Sequence, residues 1–110
     1  MKNQEPNFSY IESLSGGDVA FRARLLEVLK SELPVEIADF KSLIRDHKFD
    51  KAAELVHKMK HKMALLAMDG AYELAVRFEN ELSEGNPELL SDFNGILEKM
   101  TTFLSRLTKI

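Results

Sequence analysis

His57 and His61 stand four residues apart with Lys60 between them, and alanines (Ala53 and Ala64) lie on either side. On an α-helix, residues three and four apart share a face, so this spacing would gather both imidazoles and the ammonium together. A neutral imidazole offers a lone pair near physiological pH and can attack phosphorus or ligate a metal. An ammonium one turn from His57 can make charge-assisted hydrogen bonds to phosphoryl oxygens and offset the charge that grows as the group moves. Ala53, one turn before His57, and Ala64, about two turns after it, keep the helix surface low where a second protein would approach. The bland reading is that an outward histidine among lysines belongs to a solvated face. A metal reading fares worse. Two imidazoles are too few ligands, Lys58, Met59 and Lys60 supply no carboxylate between them, and the lysines repel a cation. The chain has no cysteine, which removes thiolate metal sites, disulfides and thiol catalysis. No metal site is expected.

The segment that carries these residues has helical periodicity. On a wheel of about 100° per residue, Ala52, Leu55, Val56, Met59, Met63, Leu66 and Ala67 form an apolar arc. Ala53, His57, Lys60, His61, Ala64 and Met68 form another, centred near His57 and roughly opposite the first. The spacing predicts a helix over about 49–68 with His57 pointing away from the core. Met59 and Met63 are read as core, whereas Met68 either meets a partner or packs into the following turn.

The rest of the chain must position this helix, and its joints are marked by glycine and proline. Residues 8–14 form a short candidate helix closed by Ser15, Gly16 and Gly17. Asp18 offers an N-cap to a long apolar stripe from Phe21 to Ile44, which Pro34 should kink or divide. Asp46 to Lys48 is a polar joint. After the histidine helix, Asp69 can cap a helix over about 70–83, with Leu74, Phe78 and Leu82 inward, stopped by Glu84, Gly85 and Asn86. Pro87 is placed to open a last helix running to about Thr108. No segment alternates like a strand. The fold class is therefore all-α: one domain over 1–110, an antiparallel bundle of five or six helices, with 1–7 as a loose end.

Composition bounds the partners. An apolar share of 45% and a charged share of 30% suit a globular chain rather than a disordered one. The longest apolar run, Met63 to Met68, falls far short of the ~20 residues of a membrane-spanning helix. The polar N-terminus has no signal core, so a cytoplasmic location is expected. The net charge of −3 argues against general nucleic-acid binding. Charge is nevertheless uneven: 48–68 holds five lysines against Asp50 and Glu54, and 73–98 holds seven acids against Arg77. Only Gly16-Gly17 and three isolated glycines exist, so there is no glycine-rich nucleotide loop and no kinase reading.

The run Ala52-Ala53-Glu54-Leu55-Val56-His57-Lys58-Met59-Lys60 resembles the signature of histidine-containing phosphotransfer (HPt) domains, whose central helix carries His-x-x-Lys followed by small residues. Gly17-Asp18, the interruption at Pro34, the joint at Lys48 to Asp50, Leu66, Leu74 and Glu79 also fit that family's layout, so the resemblance covers nearly the whole chain. It implies a bundle with a four-helix core, His57 as the phospho-accepting residue and Lys60 as the phosphate-neighbouring lysine. Ala53, His61, Ala64 and Met68 would be contacts for the partner. The implied partners are receiver domains of response regulators and hybrid sensor histidine kinases, and the chain would be a monomeric carrier rather than a turnover enzyme. No cofactor is implied on this chain, because in the family the divalent metal resides on the receiver. One departure is His61, which stands where the family usually has glycine. It raises a second reading, a degenerate module that docks to receivers without carrying phosphate.

Overall fold

The computed structural model describes residues 5–107, in which five helices and no strand occur. They are α1 (Ser9–Ser15), α2 (Val19–Arg45), α3 (Phe49–Leu65), α4 (Asp69–Ser83) and α5 (Leu90–Leu107). The last turn expected at Thr108 lies outside the described residues, as do residues 1–4 of the expected loose end. The rest of that end touches the bundle: Asn7 N donates to Leu66 O at 2.9 Å, and Glu5 pairs with Lys99 at 2.9 Å.

Helices α2, α3, α4 and α5 touch in a closed ring, each against the next and α5 against α2, while α1 lies on α2 and α3. Short joints produce this arrangement, because three residues between α2 and α3 and between α3 and α4, and six between α4 and α5, leave the chain little path except back along its neighbour. Each helix buries one stripe. Phe40 of α2, Phe78 of α4 and Phe93 of α5 meet with ring centroids 4.9–6.1 Å apart, a spacing that adds aromatic attraction to area burial. Val56, Met59 and Met63 bring α3 into the same core and are fully buried. Ile11 does so for α1, with the Phe8 ring 4.8 Å from that of Phe103.

Helix ends follow local chemistry. The Asp18 side chain accepts from Phe21 N at 3.0 Å and so caps α2. Three joints repeat one geometry. After α2, α3 and α4, a left-handed residue (His47, Ala67, Gly85) is followed by one whose N–H reaches back to a carbonyl five residues earlier: Lys48 to Leu43, Met68 to Met63, and Asn86 to Glu81. Only Gly85 is a glycine; the polar run Asp46 to Lys48 marks the first stop by its composition, and nothing in the sequence marks the stop at Ala67.

Several expectations need correction. Pro34 does not divide α2, which is helical from Val19 to Arg45. Proline removes one N–H and crowds one carbonyl, but packing on both sides of it holds the helix together. Asp69 is the first residue of α4 rather than its cap; the cap position is Met68. Pro87 precedes α5 by three residues, in a turn where Asn86 Oδ1 accepts from Glu88 N at 3.0 Å.

Candidate functional site

The site is built where α3 and α4 lie side by side. His57 is exposed, with 57% of its side chain open, as its place opposite the apolar arc requires. Its Nδ1 lies 3.0 Å from Glu79 Oε1 on α4. Lys60 Nζ donates to the same Oε1 at 3.3 Å and stands 3.2 Å from Oε2. One carboxylate therefore holds the imidazole and the ammonium together. Burial opposes ionisation of Glu79, but hydrogen bonds from His57 and Lys60, with their charges, outweigh it and hold the carboxyl below its ordinary range. An ionised carboxylate only accepts, so Nδ1 must carry the proton it shares. In the neutral imidazole the lone pair then sits on Nε2, on the side of the ring away from Glu79.

Lys60 is not on open surface. Only 10% of its side chain is exposed, and its ammonium lies 5.8 Å from the centre of the Tyr72 ring. A wheel of α3 alone puts Lys60 outward; α4 covers that edge, and Glu79 draws the ammonium in. Lys62 is buried too, paired with Glu32 at 3.0 Å and Glu36 at 3.1 Å on α2. Burial lowers its pKa, and the two carboxylates more than reverse this, so it stands above its usual value. The basic island is consequently smaller than the sequence suggests: of its five lysines, Lys48, Lys51 and Lys58 face solvent.

His61 is exposed, its ring 5.6 Å from that of His57 and nearly perpendicular to it. Ala64 is half-buried and lines an open groove of about 590 Å³ between α1, the end of α3 and the start of α4, beside Tyr10, Ser13, Tyr72 and Glu73. Tyr10 and Leu14 of α1 are large apolar side chains left nearly half exposed. Ala53 is only 6% exposed, so it contributes a low contour more than a contact.

Met68 is fully buried and cannot be a docking contact. The helix ends at Leu65, before the wheel would place Met68 on the histidine face. The left-handed Ala67 then turns the chain so that Met68 packs with Met63 in the core.

Sequence reasoning missed the role of Glu79, although it noted the residue. The signal was an acid at the border of the α4 apolar stripe, next to the buried Phe78, where a carboxylate must find a partner. Among the described residues, no group of three or more His, Cys, Asp or Glu side chains is arranged to hold a metal ion. No described helix is long and apolar enough to cross a membrane.

A family model described as Hpt domain matches residues 24–107. No curated protein and no solved structure matches the chain.

Proposed function

The chain belongs to the Hpt domain family, and from that premise we propose that His57 accepts a phosphoryl group from an aspartyl phosphate on one receiver domain and passes it to the aspartate of another. The observation that carries this reading is the His57–Glu79 hydrogen bond, which commits Nδ1 and leaves Nε2 as the exposed nucleophile. The Nε2 lone pair attacks phosphorus; an N–P bond forms as the P–O bond to the partner's aspartate breaks, and the electron pair leaves with that carboxylate. The imidazole gains positive charge in this step, and Glu79, already sharing the Nδ1 proton, offsets it. Return of the phosphoryl group to a second aspartate reverses each change.

Lys60 holds Glu79 in place and keeps further N–H donors beyond the one given to Oε1, within the same edge of the site. Its role is to steady phosphoryl oxygens and to anchor the carboxylate. The chain acts as a carrier in a cytoplasmic relay, and the divalent cation such transfer uses belongs to the receiver. Exposed Lys48, Lys51 and Lys58 favour approach of an acidic receiver pocket, and the groove beside Ala64, rimmed by Tyr10, gives it an apolar seat. Hybrid sensor kinases and response regulators supply such receivers.

The test is transfer from a phosphorylated receiver to the purified chain, followed as acid-labile label. Wild type should label and His57→Gln should not. A wild type that binds a receiver yet stays unlabelled with every receiver tried would instead establish a docking module without phosphate transfer, the reading that His61 raises.

A further inference from the structure

We infer that His61 is a second phosphoryl-holding group of this site, donating an imidazole N–H to an oxygen of the phosphoryl group carried on His57. The inference rests on the carrier reading above and adds to it a residue whose place the family usually gives to glycine.

The geometry comes from the helix. Side chains on an α-helix lean toward its N-terminus, so His61 leans back over the turn that presents His57. The two rings are 5.6 Å apart between centroids and stand at 88°. Nδ1 of His57 is tied to Glu79, so a transferred phosphorus sits on Nε2, one bond beyond the ring, with its oxygens one bond further out. Lys60 lies on the inner side, because its ammonium shares Oε1 of Glu79 with Nδ1 and is nearly buried. The phosphoryl oxygens that point to solvent are therefore turned from Lys60 and toward the turn where His61 stands exposed. An imidazole carries at least one N–H whether neutral or charged, and rotation about its side-chain bonds aims that donor without moving the backbone.

Two consequences follow from a donor at that place. Hydrogen bonding to the carried group favours the loaded carrier over the loaded receiver, and the ring shields phosphorus from water. An incoming receiver must also displace the ring, which sets the loaded chain apart from one with an open face at this position.

The experiment loads the full chain with the small phosphodonor phosphoramidate and compares phosphohistidine lifetime in wild type, His61→Gly, His61→Phe and His61→Asn. Removing the donor should shorten the lifetime in both the glycine and phenylalanine variants, by about tenfold for one charge-assisted hydrogen bond. His61→Asn, which keeps an N–H donor, should retain most of it. A His61→Gly lifetime equal to wild type would overturn the inference, and so would a phenylalanine variant that matches wild type, since bulk without a donor would then suffice. A chain that never labels on His57 overturns the carrier reading and this inference together; one that labels with unchanged lifetime overturns only this inference.

Discussion

With its Nδ1 proton given to Glu79, the His57 imidazole is fixed in one tautomer and one orientation, and both depend on a side chain from another helix. Replacing Glu79 by Gln keeps an acceptor of similar shape and removes its charge. We expect transfer to slow by roughly tenfold to a hundredfold, the worth of one charge-assisted hydrogen bond, with receiver affinity unchanged; transfer rates against binding curves check this. The same carboxylate predicts a pH effect. Its pKa is lowered by folding, so its contribution to stability is complete above the ordinary carboxylate range and lost as pH falls through the depressed value. The difference in urea-unfolding free energy between neutral and acid pH should accordingly be smaller in Glu79→Gln. Lys62 has the opposite sign. Its pKa is raised, so its contribution holds below the ordinary lysine value and is lost as pH rises through the higher one. Lys62→Ala, which strands Glu36 in a largely buried position, should cost about 2 kcal/mol at neutral pH by denaturant unfolding. The outward position of His57 was legible from the wheel. That Lys60 and Lys62 turn inward was not, since their carboxylates lie 19 to 30 residues away in sequence.

At the scale of the element, the joints decide which residues a helix presents. Apolar spacing located all five helices, and the polar run Asp46 to Lys48 marked the stop at His47, but the left-handed stop at Ala67 lies in an apolar run with no turn signal. The histidine helix therefore reads three residues too long in sequence, and Met68 is misplaced with it. A β-carbon in the left-handed region costs roughly 1 kcal/mol relative to glycine. Ala67→Gly and His47→Gly should each raise stability by about 0.5–1 kcal/mol, or a few degrees in melting temperature, without altering helix content; thermal unfolding followed by circular dichroism checks both. Pro34 makes the converse point. A residue that reads as a break is carried inside a 27-residue helix because Leu29, Leu33 and Phe40 bury the stripe on either side of it.

For the whole molecule, burial reshapes the charge that a partner meets. With Lys60 and Lys62 neutralised in ion pairs, the lysines of this segment left exposed are Lys48, Lys51 and Lys58, and under the proposed function these would steer an acidic receiver. Reversing two of them in Lys51→Glu/Lys58→Glu should slow association about tenfold at low salt, with the difference fading as ionic strength rises, while the transfer step within the complex is unchanged; stopped-flow binding across a salt series reads this. The exposed charge of this segment is set by pairing in three dimensions and not by summation over the chain: Lys48, Lys51 and Lys58 remain beside exposed Asp50 and Glu54. The contact between His57 and Glu79 has one more outcome, which concerns isomers. Cut free as a peptide, α3 would keep its histidine, yet the imidazole would exchange its proton between the two nitrogens, and a chemical donor would modify either one. Closing α4 against α3 withdraws one nitrogen from reaction, so on the proposed carrier reading the bundle would work as a regioselective protecting group, and its product would be a single phosphoramidate isomer.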